Sequence, residues 1–316
     1  MIPRSPCWLS LALAFTALLL QYGLVKGDAD IESVRIHHDY KDMSGRGGDP
    51  KAKYWHESVF HPHYDGRFTN HTLPYEEQKA NLSLLMQSYL ASMSDIGAET
   101  WIIHGTLLGW WWNRKVCTPS PSALLHPDNT IQIMPWDSDI DVQMTNATVH
   151  MLASYYNMTI HTFDISEDKR KDYMLEVNPK YTDPSYGDTL NVIDARWIDI
   201  ETGLFIDITA VRPHPSKKGI MCSKDKHEET VQDLFPLRDS LFEDQSVKIP
   251  YNYARLLTQE YGNAALTKTE YSDHRFNSTS MEWERFMSVS SQEKVACQVS
   301  QALLRGGRRA RKKCVG

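Results

Sequence analysis

Apolar and acidic residues alternate in one short segment, Pro135–Val142, which reads Pro-Trp-Asp-Ser-Asp-Ile-Asp-Val. Such alternation predicts a strand, because side chains at every second position of a strand share one face. We therefore expect Asp137, Asp139 and Asp141 to converge on one face, while the apolar residues after Asp139 point into the core.

Other segments carry the periods of amphipathic helices and buried strands. Apolar residues recur at three- and four-residue steps from Pro74 to about Ile96, which predicts a long helix. The further predicted helices cover 106–115, 148–156 and 251–261, the last ended by Gly262; the further predicted strands are 101–103 and two strands within 191–210, around the turn at 201–203.

The three alternating carboxylates are the first candidate for chemistry. Crowded carboxylates repel each other, and their burial is costly unless a cation joins them. Oxygen ligands suit a hard ion such as Mg²⁺ or Mn²⁺. Asp207 is the only charged residue in the apolar run 204–210 and would share such an ion. The alternative is ordinary, because single Asp-x-Asp pairs also occur in turns and on solvated edge strands.

Gly105 and Thr106 lie between the predicted strand at Trp101 and the next helix. Thr106 is placed as a possible N-cap of that helix. A helix N-terminus beside a small residue presents free backbone N–H groups to an anion. The two motifs together predict metal-assisted chemistry on a phosphate.

Charge and cysteine content narrow the classes of protein. The chain has 316 residues with a formal net charge of −6, so a general nucleic-acid-binding surface is not expected. Sequons at Asn-x-Ser/Thr triplets are compatible with a glycoprotein. After Cys7, the other four cysteines could form two disulfides in an oxidising compartment, with three possible connectivities.

The organisation along the chain follows from composition. The apolar run from Trp8 to Leu20 predicts a signal peptide or a retained signal anchor within residues 1–27. We accordingly expect a secretory-pathway protein, either Golgi-lumenal and membrane-anchored or secreted. The remaining predicted units are an extended N-terminal segment (28–70), a catalytic domain (71–286) with a Pro-rich inserted loop (116–132), and a basic, disordered tail (287–316).

The order of these motifs resembles that of a known family. His104-Gly105-Thr106-Leu107-Leu108-Gly109, the acidic segment 135–141, and Ile198-Asp199 followed by 203–207 closely resemble the LicD family. The segments 60–68 and 253–262 look like its fungal branch. The family includes bacterial phosphocholine transferases, fukutin-related proteins and fungal proteins of mannosylphosphate transfer.

The resemblance implies an α+β fold with a DNA-polymerase-β-like nucleotidyltransferase core, a mixed sheet with flanking helices. It also implies transfer of a substituted phosphate, such as mannosylphosphate from GDP-mannose, from a nucleotide-diphosphate-sugar or -alcohol donor to a glycan hydroxyl on a glycoprotein. The implied roles are Asp139, Asp141 and Asp207 as ligands of Mg²⁺ or Mn²⁺, Asp137 or Asp207 as the base, Gly105 and Thr106 against the phosphates, and Arg114, Lys115 or Arg196 as charged contacts to the donor.

Two other functions remain open from the sequence. One is a non-catalytic regulator that keeps the fold and assists a partner transferase. The other is a phosphodiester hydrolase that uses the same metals. Positions 139, 141 and 207 all carry an aspartate, and this full set favours the enzyme over the regulator.

Overall fold

The computed structural model describes residues 41–45, 49–113, 132–183 and 188–286. These residues form an α+β fold built on one mixed sheet, so the predicted fold class is confirmed at that level. The helices are α1 (Tyr75–Asp95), α2 (His104–Trp112), α3 (Asn146–Tyr155), the short α4 (Val231–Leu234) and α5 (Tyr253–Tyr261). None of the helices in the described part of the chain is long and apolar enough to cross a membrane.

The main sheet has the strand order β1-β2-β6-β5-β4-β3, with β7 paired to β6 and β8 paired to β7. The strands β2 and β6 are parallel, and the other pairs are antiparallel. The strands are β1 (Thr100–Ile102), β2 (Asp141–Thr145), β3 (Thr159–Ser166), β4 (Lys169–Val177), β5 (Ala195–Asp199), β6 (Phe205–Pro213), β7 (Ile220–Cys222) and β8 (Glu228–Thr230).

Smaller strands follow the main sheet along the chain. A hairpin and a three-stranded sheet are formed by β9 (Arg238–Phe242), β10 (Gln245–Ile249), β11 (Glu270–Tyr271), β12 (His274–Asn277) and β13 (Glu282–Arg285). The last of these small sheets forms one wall of the cavity described below.

The predicted elements that surround the acidic segment are confirmed. The apolar face of α1 is buried over the sheet, with Leu82, Met86 and Tyr89 fully inaccessible. α5 ends at Gly262, whose φ of +80° suits glycine at a helix terminus. β5 and β6 meet at the predicted turn, where Gly203 has a φ of +74°.

Residues 54–69 belong to the folded body, rather than only leading into it. Tyr64 and Phe68 are fully buried, and the Asp65 amide donates to the Gly203 carbonyl at 2.7 Å. Asp65 is buried and forms an ion pair with Arg67, whose Nη2 lies 2.6 Å from Asp65 Oδ2 and 2.6 Å from a Glu176 carboxylate oxygen. The ion pair therefore ties this segment to β4.

The Asp65 ion pair makes stability depend on pH. Burial would raise the pKa of the Asp65 carboxyl, but the charge and hydrogen bonds of Arg67 outweigh burial and hold it below 3.8. Its stabilising contribution is present above the unfolded-state pKa and is lost as pH falls through the lower folded-state pKa.

We expect Asp65→Asn to lower the free energy of unfolding by about 3 kcal/mol at neutral pH, because it removes one of the two buried carboxylates that pair with Arg67. The difference from the wild type should shrink below pH 3.8. Urea unfolding across pH measures it, with the exposed Asp168→Asn as control. An unchanged difference down to the acid transition would contradict this account.

Candidate active site

The parallel pairing of β2 with β6 brings two of the predicted carboxylates together. Asp141 is the register partner of Asp207, so both side chains leave the same face of the sheet. On the other side of β6, Arg196 is the partner of Asp207, and its Nε lies 2.6 Å from Asp207 Oδ1. Asp207 therefore lies between Asp141, whose charge repels it, and Arg196, with which it forms an ion pair.

The prediction of one strand through all three acidic positions is wrong. β2 begins at Asp141, and Asp137 and Asp139 lie in the loop before it. The loop turns where the Asp137 amide donates to the Met134 carbonyl at 2.9 Å and the Asp139 amide donates to Asp137 Oδ1 at 3.2 Å. β1 ends at Ile102, so β1 offers no partner to the chain before Asp141.

The start of α2 faces this loop. A Cβ atom at Gly105 would lie 2.8 Å from Asp137 Oδ2, closer than a side chain allows. The prediction of Thr106 as N-cap is wrong, because α2 begins at His104, and its N-cap residue Ile103 makes no side-chain cap. The Thr106 hydroxyl instead accepts the Asp141 amide at 2.8 Å and fastens α2 to the start of β2.

The crowded carboxylates resist ionisation. Burial, then the charge of Asp207, raises the pKa of Asp139 to about 6. Burial and Asp139 raise the pKa of Asp141 well above its ordinary value, and burial also raises the pKa of Asp137. Asp139 Oδ1 is buried and has no hydrogen-bond partner among the described residues. The donor set of this oxygen-rich cluster fits Mg²⁺ or Mn²⁺.

Sequence reasoning missed two side chains that hold the acidic loop. Lys79 is 3% exposed, and its ammonium donates to the Met134 carbonyl at 2.6 Å and to the Asp137 carbonyl. His63 contacts Ser138 Oγ at 2.7 Å, and its Nε2 lies 3.8 Å from an Asp139 oxygen. The signal for Lys79 was its position on the apolar stripe of α1, where a charged residue needs a buried partner.

Arg196 does not lie on the open side of the acidic cluster. It is 3% exposed, and its guanidinium lies 4.7 Å from the Trp55 ring centre and 3.8 Å from that of Phe205. These contacts place Arg196 behind Asp207, as its ion-pair partner. The other two predicted donor contacts, Arg114 and Lys115, lie outside the described residues.

An open cavity of about 520 Å³ lies in front of the carboxylates. Its lining includes Gly105 and the carboxylates of Asp137, Asp139 and Asp141. It also includes aromatic residues and one lysine, which are Trp112, Trp136, Tyr261, Lys268, Tyr271 and Trp283. Trp136 packs edge-on against Tyr271 and Trp283, with ring centres 5.2 and 5.1 Å away. The volume suits a ligand of nucleotide-sugar size.

Beside this cavity, His104 contacts residues that the sequence analysis did not select. Its Nδ1 lies 2.9 Å from a Glu260 oxygen, and its ring centre lies 4.5 Å from that of His227. Burial alone would lower the pKa of His104, but the neighbouring carboxylates of Asp225 and Glu260 raise it to about 10. Position 104 directly precedes Gly105, and this adjacency was the available signal in the sequence.

Two glycines on α2 are expected to respond differently to alanine. At Gly105 the added methyl would meet only the end of the Asp137 side chain, whereas at Gly109 it would lie 2.8 Å from the Gln132 backbone carbonyl. We expect Gly109→Ala to lower the free energy of unfolding by about 1–3 kcal/mol through overpacking. Gly105→Ala should stay within about 1 kcal/mol of the wild type, because the helical gain of alanine offsets the displaced carboxylate.

Urea unfolding of both variants measures this difference, and each is the control for the other. Equal destabilisation by the two substitutions would show that Gly105 has a packing role, rather than a role in leaving room for the Asp137 carboxylate.

Comparison with known proteins gives a relationship but not a family assignment. No family model matches the chain. Over 155 residues, 47% of the chain, it is 33% identical to mannosyltransferase regulator 4 of Saccharomyces cerevisiae. Over 189 residues, 58% of the chain, it is 30% identical to mannosyltransferase regulator 14 of the same yeast. The matched regions are 11% and 18% of those proteins, so the similarity concerns one part of each.

Proposed function

We propose that the chain transfers a substituted phosphate, namely mannosylphosphate from GDP-mannose, to a glycan hydroxyl in the secretory pathway. The observation that carries the proposal is the convergence of Asp137, Asp139 and Asp141 on one open cavity, beside the start of α2. This is the arrangement expected of a nucleotidyltransferase-like core.

Asp139, Asp141 and Asp207 would hold the divalent ion. Two observations support this assignment: Asp139 Oδ1 is buried without a hydrogen-bond partner among the described residues, and the charge of Asp207 is one of the causes that raise the pKa values of Asp139 and Asp141. A bound Mg²⁺ or Mn²⁺ would neutralise charge on the donor diphosphate and on the leaving nucleotide.

Asp137 is the better candidate for the base that takes the proton of the acceptor hydroxyl. Its carboxylate lines the cavity, and burial raises its pKa toward the neutral range in which a base works best. Asp207 does not line the cavity and is already paired with Arg196. Of the two alternatives that the sequence left open, the geometry favours Asp137.

The other residues that line the cavity would contact different parts of the donor and acceptor. Gly105, which has no side chain, would let the donor phosphates approach the first backbone N–H groups of α2. The aromatic lining residues, among them Trp136 and Tyr271, would pack against the flat face of a base or a sugar ring. Lys268, which also lines the cavity, would meet a phosphate or a hydroxyl.

The names of the two yeast relatives support a role in glycan mannosylation. They also favour a second candidate function, in which this fold regulates a partner mannosyltransferase without turning over a donor itself. Retention of a full set of carboxylates around a cavity supports the catalytic function, since a purely regulatory surface has no need of them.

Turnover of nucleotide donors by the purified full chain tests the proposal. The protein would be given Mn²⁺ or Mg²⁺, a mannan acceptor, and GDP-mannose, CDP-ribitol or CDP-choline. We expect metal-dependent release of GMP from GDP-mannose. Asp139→Ala/Asp141→Ala should reduce it by about 100-fold or more, as the loss of several kcal/mol of transition-state stabilisation requires.

Asp168→Ala, an exposed aspartate in the β3–β4 turn, is the matched control and should leave turnover unchanged. No release from any donor by a folded wild-type chain would overturn the catalytic proposal. Stimulation of an added mannosyltransferase by both the wild type and the double variant would then establish the regulatory function.

A further inference from the structure

A group of histidines and carboxylates lies where three elements meet beside the cavity. His104 begins α2, Asp225 and His227 lie in the turn between β7 and β8, and Glu260 is in the last turn of α5. We name these four residues the histidine cluster. One possible ligand atom from each of His104, His227 and Glu260 lies within 4.8 Å of the other two.

The contacts within the histidine cluster centre on the imidazoles. His104 Nδ1 lies 2.9 Å from Glu260 Oε2, and His104 Nε2 lies 3.6 Å from Asp225 Oδ2. The same Asp225 oxygen lies 3.0 Å from His227 Nδ1. Asp225 Oδ2 thus lies close to nitrogen atoms of both rings.

Several polar atoms here are buried without hydrogen-bond partners in the described part of the chain. They include His104 Nε2, His227 Nδ1 and Oε2 of the neighbouring Glu229. Glu229 is only 7% exposed, and its carboxylate interacts electrostatically with His227 and Asp225. Buried polar atoms are rarely left unpartnered in folded proteins, so each one calls for a partner.

His104 is also held in an unusual backbone conformation, with a φ of +52°. Residues other than glycine rarely adopt positive φ, and such strain persists only where the surroundings fix it. The conformation at His104 directs its side chain to Glu260 and His227, across from the cavity that Gly105 lines.

We propose that the histidine cluster is a Zn²⁺ site that ties three elements together, with His104, His227 and Glu260 as ligands and Asp225 holding the other nitrogen of each imidazole. Imidazole nitrogens together with a carboxylate oxygen form a donor set that suits zinc. The all-oxygen set of Asp139 and Asp141 suits Mg²⁺ or Mn²⁺ instead. In a tetrahedral site with bonds of about 2.0–2.1 Å, ligand atoms lie about 3.3 Å apart. The possible ligand atoms of His104, His227 and Glu260 lie within 4.8 Å of one another, and zinc would draw them to this closer spacing.

The position of this site gives it a structural role. His104 precedes Gly105, and Glu260 precedes Tyr261; Gly105 and Tyr261 both line the cavity. A zinc ion shared by α2, α5 and the β7–β8 turn would fix these two walls relative to each other.

Metal binding by the untagged full chain tests the proposal. After treatment with a chelator, the protein would be titrated with Zn²⁺ and its metal content measured by mass spectrometry. Co²⁺ would replace Zn²⁺ for visible absorption spectra. We expect one zinc per chain, a tetrahedral Co²⁺ spectrum, and a higher melting temperature with zinc. His227→Ala should weaken zinc binding by more than about tenfold, because His227 is one of the ligands.

The controls separate this site from the carboxylates. His150→Ala removes an exposed histidine that contacts Tyr181, and Asp139→Asn alters the acidic cluster; both should keep the zinc and the thermal shift. His227 lies in a partly exposed turn, and a melting curve without metal verifies that His227→Ala folds. The proposal is overturned if the wild type binds no zinc, if His227→Ala binds it equally, or if binding is lost only in Asp139→Asn.

Discussion

The parallel pairing of β2 with β6 places Asp141 beside Asp207. The contacts of the surrounding residues offset the repulsion between these two carboxylates. Arg196 balances Asp207 from the adjoining strand, and Trp55 and Phe205 hold that guanidinium in place. Asp139 lies in the preceding loop and adds a third carboxyl group, whose pKa is raised by burial and by the charge of Asp207. Keeping these acidic oxygens close together destabilises the fold, and sites that bind a cation have this property.

The elements behind the carboxylates keep them at this distance. Lys79 crosses from α1 to fix the backbone of the acidic loop, and Thr106 fastens α2 to the first residue of β2. Gly105 leaves room for the Asp137 carboxylate. Residues 54–69 also contribute to the site, although they are distant along the chain, because Trp55 packs against the Arg196 guanidinium. Packing and polar contacts thus position the same carboxylate groups.

Local sequence signals predicted the elements on which the site is built. The period of α1, the turn at Gly203 and the end of α5 at Gly262 are all encoded by nearby residues, and the structure confirms them. The prediction failed where long-range contacts decide: β2 begins only at Asp141 because β1 provides no earlier partner. The histidine cluster was missed for the same reason, since its members are far apart in the chain. The β3–β4 hairpin was also missed, although its two strands are joined by a short turn at 167–168. Roles in metal binding and catalysis remain predictions.

Equilibrium binding of Mn²⁺ at neutral pH, followed by electron paramagnetic resonance of the free ion, tests the central claim that the carboxylates around β2 form a cation site. The account predicts saturable binding by the wild type and by His227→Ala. Binding should be weaker by more than about tenfold in Asp139→Asn and Asp141→Asn, because each loses a charged ligand. Equal Mn²⁺ binding by the wild type and both aspartate variants, or none by a folded wild type, would contradict it.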